Sequence, residues 1–246
     1  MVYSIVGNFK FRVENGVLTR ITPLTSAKNI DVFIPKTLSD GTVIDCIGAH
    51  FAFGVPYGTI TISDEITEIS SWAFSRVEAK EIVWPSGCLE IPSHCFPFCT
   101  AACVRNLENV QYVNKSAFWC SEIKEINWPP GVSVIPDSCF GHCKTSKITG
   151  LDAVASVEDY AFCESNILVM SWPDNCQSIP RYCFKNCKIG FLNNLGCVTR
   201  IEEGAFYGAS VCSALDFSHS LYLECDDSAF ESAECNTVLP YYSAAT

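Results

Sequence analysis

A phenylalanine returns every 22 residues along this chain: Phe74, Phe96, Phe118, Phe140, Phe162, Phe184 and Phe206, with Phe230 following after 24. Upstream, Phe51-Ala52 fills the same slot with its two residues reversed. Five residues before the Phe stands an apolar residue: Ile69, Ile91, Val113, Ile135, Val157, Ile179 and Ile201. Eight residues after stands another, in Ile82, Val104, Ile126, Ile148, Met170 and Leu192. Polar neighbours flank that position, as in Lys147-Ile148-Thr149, which predicts a short strand alternating in and out. A unit of 22 residues is too short to close a core of its own. Stacked on copies of itself it buries a continuous one, each unit touching only its neighbours.

The units alternate. One kind runs through Trp84-Pro85, Trp128-Pro129 or Trp172-Pro173 into I-P-x-x-C-F-x-x-C, starting at Ile91, Ile135 and Ile179, 44 residues apart. The other runs through Asn106-Leu107, Gly150-Leu151 or Asn194-Leu195 and then a Val into A-F. The period of 44 therefore reads as two solenoid turns rather than two halves of a catalytic site. Tryptophan standing two residues after Ile82, Ile126 or Met170 falls on the inward side of its strand, so core filling is favoured over an exposed stacking ridge. The Pro that follows ends the strand, and the Pro of I-P-x-x-C-F is expected to open a short helical piece.

The pattern I-x-x-x-A/C-F-x-x-C, then an apolar strand residue, then I/W-P, resembles the BspA-like leucine-rich repeats of bacteria and some protozoa. FKFRVENGVLTRI followed by DVFIPKTLSDGTVIDCIG resembles the start of such an array. The resemblance implies a curved, right-handed leucine-rich-repeat solenoid, β-rich with short helical segments, and a non-enzymatic binding role that is often adhesion at cell surfaces. On this reading residues 1–29 form an N-terminal β-hairpin cap turning at Glu14-Asn15-Gly16, where Asn and Gly tolerate positive φ. Residues 30–217 form the repeat array. Residues 218–246 hold the last irregular repeat and a C-terminal cap, kept soluble by Asp226, Asp227, Glu231 and Glu234. Eight to nine turns at ~4.8 Å each would stack to ~40 Å.

Six of the sixteen cysteines recur at the double period of 44. Cys95, Cys139 and Cys183 share a column with Ala73, Ala117, Ala161 and Ala205, and Cys99, Cys143 and Cys187 share one with Val77, Ser121, Ser165 and Ala209. Columns that admit only small residues are tight and buried, and Cys acts there as a small hydrophobe. Cys95 and Cys139 lie two turns apart, near 10 Å, beyond the ~7 Å reach of a disulfide. Adjacent-turn pairs, Cys99 with Cys120 or Cys143 with Cys163, stay open, within a largely reduced core. His94-Cys95-x3-Cys99 and Cys139-x2-His142-Cys143 offer soft ligands, yet the two histidines occupy different columns and no paired C-x-x-C knuckle is present. No metal or cofactor is expected.

Phosphate-loop, nucleophile-elbow and H-E-x-x-H motifs are all absent, so no catalytic residue is assigned. A net charge of −11 with scattered Lys and Arg argues against a nucleic-acid backbone as partner. No apolar run approaches the ~20 residues of a membrane helix, and MVYSIVGNFKFRVENG has no basic n-region leading into an apolar core, so no secretory signal is read. The family resemblance points to the cell surface or a secreted protein, and reduced thiols would equally suit the cytoplasm. What remains is the outward strand face, where residues vary from turn to turn while the shape-holding columns stay uniform. Arg105, Lys147, Phe191 and Asn193 are the candidate contacts there for a protein partner. A structural or assembly role for the solenoid is the competing expectation, with a thiol or metal sensor behind it.

Overall fold

The computed structural model describes residues 1–52, 54–220 and 222–239, so residues 240–246 of the expected C-terminal cap lie outside the described residues. The chain divides into two compact units, Met1–Lys124 and Glu125–Thr246, each a β-solenoid built from turns of about 22 residues.

The first unit opens with three antiparallel strands, β1 (Val2–Val6), β2 (Phe9–Glu14) and β3 (Val17–Pro23). Glu14 faces Val17 across the turn, with Asn15 at φ 51° and Gly16 at φ 78°. Both values lie in the left-handed region that this two-residue hairpin requires. A bulge interrupts the pairing of β2 with β3 between Arg12 and Val13. Phe9, Phe11, Val13, Leu18 and Ile21 turn inward and are buried. β3 then pairs in parallel with Cys46–Ile47, which pairs with Glu68–Ile69. Beyond this start, parallel strands Ile30–Ile34, Pro56–Ile62, Glu78–Val83 and Thr100–Arg105 lie side by side.

In the second unit the parallel strands are Lys144–Thr149, Asn166–Ser171, Lys188–Asn193, Ser210–Asp216 and Glu234–Leu239. Met170 pairs with Leu192 and Ser171 with Asn193, a step of 22 positions. Ser210 pairs with Glu234, a step of 24 that absorbs the longer last interval. Two-residue strands line another side of each turn, as where Ser178–Ile179 pairs with Arg200–Ile201.

The core is a file of phenylalanines. In the first unit Phe74 stacks on Phe96 with centroids 4.9 Å apart, and Phe96 on Phe118 at 5.1 Å. In the second, Phe140, Phe162, Phe184, Phe206 and Phe230 stack in turn at 5.0–5.3 Å. Trp84, Trp128 and Trp172 are at most 1% exposed, so they fill the core as their strand position predicts. Each indole Nε1 donates to the carbonyl four residues on, at Cys88, Val132 and Cys176, over 2.8–3.0 Å. Proline at the next position opens the turn that makes this closure possible, its carbonyl accepting from the residue three on.

The expected helical segments come down, among the described residues, to one 3-10 turn, Leu151–Ala153. At I-P-x-x-C-F the Pro opens a single turn, with Cys139 N–H donating to Pro136 O and Cys183 N–H to Pro180 O. Left-handed residues stop it there. The positions two before and two after Phe74, Phe96, Phe162 and Phe184 hold φ of 50–64°, at Trp72, Arg76, His94 and Phe98 in the first unit and at Tyr160, Glu164, Tyr182 and Asn186 in the second. Such a conformation costs on the order of 1–3 kcal/mol for a non-glycine residue. In return, alternate N–H groups of the corner point to the following turn, while those between them close the turn itself. Trp72 N–H donates to His94 O, Phe74 to Cys95 O and Arg76 to Pro97 O, and likewise Tyr160 to Arg181 O, Phe162 to Cys183 O and Glu164 to Lys185 O. A helix would have spent those donors within one turn.

Candidate functional site

The long strands present two inward and up to four outward positions, in the burial order exposed, buried, outward, outward, buried, outward. The alternation expected around Ile148 and Met170 is present, with both residues buried. A second inward column precedes it by three residues: Ala79 and Ala101 in the first unit, Thr145, Ile167, Ile189 and Val211 in the second. Two adjacent outward residues between the columns produce a flat, broad strand face. That second column was readable at the same interval of 22, five residues after each Phe.

In the first unit Arg105 is exposed at the end of its strand, where it pairs with Val83. Its guanidinium meets the carboxylate of Glu81. Arg105 also lines a groove of about 710 Å³ with Phe33, Val83, Asp64, Glu65 and Glu108. Phe33 is 54% exposed there.

The second unit brings three of the candidates together. Lys147 pairs with Val169, and Val169 with Phe191, so one row crosses three strands. Asn193 follows two residues after Phe191 on the same face, beside Ser171. Phe191 is 52% exposed and Leu168 54%. Leu168 is the member that sequence reasoning missed, because a plain alternation leaves no second outward position between Ile167 and Met170. Gly190 makes room for it: a Cβ there would stand 2.5 Å from Leu168 O and 3.1 Å from its Cδ1. The face thus carries two exposed apolar side chains with an ammonium and an amide at its margins.

The cysteine columns are packed. Cys95, Cys139 and Cys183 are 0% exposed, and Cys99, Cys143 and Cys187 at most 2%. Cys95, Cys99, Cys163, Cys183 and Cys187 carry free thiols. Burial pushes Cys95, Cys99 and Cys183 far above the usual thiol range and Cys187 up to about 12. Cys187 Sγ donates to Phe162 O at 2.7 Å. Thiols held protonated in this way are poor nucleophiles and poor metal ligands. His94 stacks on Trp72 at 5.1 Å with planes 5° apart, while His142 Nδ1 lies 3.3 Å from Glu164 Oε2. Among the described residues no three His, Cys, Asp or Glu side chains converge as a metal site would need.

The model of the BspA type leucine rich repeat region matches residues 49–168 and 133–240, in six copies. No curated protein sequence matches the chain. Among solved structures, a leucine rich cell surface protein from Faecalibacterium prausnitzii A2-165 is similar at 16% identity and a TM-score of 0.47, covering 100% of this chain and 96% of that one. A leucine-rich repeat protein from Bacteroides ovatus ATCC 8483 is similar at 15% identity and a TM-score of 0.41, covering 94% of this chain and 78% of that one. With the family model spanning most of its length, the chain belongs to the BspA type leucine-rich repeat family.

Proposed function

We propose that this chain is a non-enzymatic recognition module that binds a protein partner on its strand face. The observation that carries this reading is the row Lys147–Val169–Phe191. A half-exposed phenylalanine beside a half-exposed leucine, on a backbone fixed by hydrogen bonds to both neighbouring turns, is a rigid apolar anchor with a polar margin. Aromatic anchors ringed by polar groups are where binding energy concentrates at protein interfaces. Phe191 would bury its ring and Lys147 and Asn193 would fix orientation, while Arg105, in the first unit, is a separate candidate contact. Adhesion to a host or matrix protein is the finer form of this proposal. The buried, protonated thiols of Cys95, Cys99, Cys183 and Cys187 speak against a thiol or metal sensor at those positions.

The test is to replace Arg105, Lys147, Phe191 and Asn193 together by Ala. The circular dichroism spectrum and melting temperature should stay near those of the parent, since surface changes cost within ~0.5 kcal/mol each. Binding to a panel of immobilised matrix proteins should fall. Undiminished binding by the folded variant would move the site off this face. If neither form binds while the chain self-associates, the structural or assembly reading takes its place.

A further inference from the structure

Three of the six arginines of this acidic chain line a single cleft. It lies in the first unit, encloses about 440 Å³, and is walled by Arg12, Thr19, Arg20, Ala49, His50 and Arg76. Two elements build it. β2 and β3 supply Arg12, Thr19 and Arg20, and the earliest repeat turns supply His50 and Arg76. Ile21 N–H donates to Phe51 O at 2.7 Å, which holds β3 against the turn that carries His50. His50 N–H in turn donates to Trp72 O, bringing up the turn that carries Arg76.

The arrangement works against stability. Arg12 and Arg20 are direct partners across the antiparallel ladder, and like charges placed opposite one another destabilise a strand pair. Arg76 adds a third guanidinium from a strained backbone position, φ 56°. The bulge after Arg12 falls at this point, with Thr19 Oγ1 donating to Arg12 O at 3.2 Å. Bulges commonly re-aim a side chain near a functional site. One carboxylate answers this charge, Glu14 on Arg12 at 2.6 Å. Among the described residues Arg20 and Arg76 have no carboxylate partner, the face of Phe98 lying 5.5 Å from Arg76. Arg12 Nε is shielded from solvent and donates to nothing. Three guanidiniums less one carboxylate leave two positive charges uncompensated, with forked donors suited to an anion bearing several oxygens.

We propose that this cleft binds a dianionic tetrahedral oxyanion, the terminal group of a phosphate or sulfate ester, between Arg12, Arg20 and Arg76. A doubly charged group matches the uncompensated charge, which a single carboxylate would leave half answered. The site is separate from the strand face and does not depend on the recognition role argued above.

The experiment is calorimetric titration of the full chain with inorganic phosphate, inorganic sulfate and acetate, with sodium chloride holding ionic strength constant. Phosphate or sulfate should bind and acetate should bind far more weakly. The stronger of the two oxyanions tells phosphate esters from sulfate esters as the source. Arg20→Gln and Arg76→Gln should each weaken binding roughly tenfold or more, the loss of a charge-assisted hydrogen bond. Arg20→Gln should also leave the ligand-free melting temperature unchanged or higher, because it relieves the Arg12–Arg20 repulsion. Lys80→Gln removes the same charge from an exposed strand position and should leave binding unaffected. No heat of binding at about 10 mM phosphate or sulfate, equal binding of acetate, or equal weakening by Lys80→Gln would each overturn the proposal.

Discussion

Cysteine is the residue whose abundance most invites a chemical reading, and in the two repeating columns its surroundings are those of an aliphatic side chain. Cys139 sits in a column that alternates with alanine, with 0% exposure. Cys139→Ala removes one sulfur from a site already shaped for a methyl group in neighbouring turns. The cost should be ~1 kcal/mol, a small cavity term, read as a shift of the denaturant midpoint at unchanged slope. Protein prepared without reductant should titrate nearly all sixteen thiols once denatured, and while native only those outside the eight buried positions. Recovery of half or fewer, or a much larger loss for Cys139→Ala, would overturn the packing account.

At the scale of the element, each turn is held by one phenylalanine, one strand pair on each side and the hydrogen bonds of its left-handed corners. Phe140 is 0% exposed, and Phe140→Ala should cost ~3–5 kcal/mol. Phe230 stacks on Phe206 at 5.0 Å but is only half-buried, so Phe230→Ala should cost clearly less. Equal costs by chemical denaturation would contradict a stack in which each turn depends on its neighbours. The phenylalanine file, the inward tryptophans and the small cysteine columns were legible in the sequence because each repeats at a fixed interval. The left-handed corners were not. Trp72, His94, Tyr160 and Tyr182 share nothing in side-chain type that marks positive φ, and the conformation is imposed by hydrogen bonds to the next turn. Leu168 escaped for a related reason, since two outward residues in succession break the period of two on which a strand is recognised.

For the whole molecule, the net charge of −11 states an average that local arrangement contradicts. The sequence scatters Arg12, Arg20 and Arg76 over 65 positions, and only the pairing of β2 with β3 and the stacking of the first turns bring them to one cleft. The candidate contacts were legible in part. Lys147, Phe191 and Asn193 share a face because the 22-residue step sets their register, whereas the Glu81 partner of Arg105 follows from the parallel pairing of their strands.

The alternation of tryptophan with asparagine or glycine sets the increment by which such a chain can lengthen. Asn194 donates its amide to Trp172 O at 2.8 Å, from the slot that tryptophan occupies one turn earlier. Gly150 serves the same slot one turn after Trp128, where a Cβ would come within 2.8 Å of Trp128 O. A tandem duplication of residues 156–199, two whole turns, restores every such neighbour. Because alternate corner donors, those of Tyr160, Phe162 and Glu164 among them, point to the following turn, the new segment supplies acceptors where it begins and meets acceptors where it ends. Duplicating residues 156–177 alone would set one tryptophan over another and delete the amide between them. The longer insertion should melt cooperatively within a few degrees of the parent, and the shorter one well below it or in two steps. Gene length in this array is therefore expected to be quantised in pairs of turns, so that recombination which respects the pair extends the binding face and recombination which splits it is lost at the folding step.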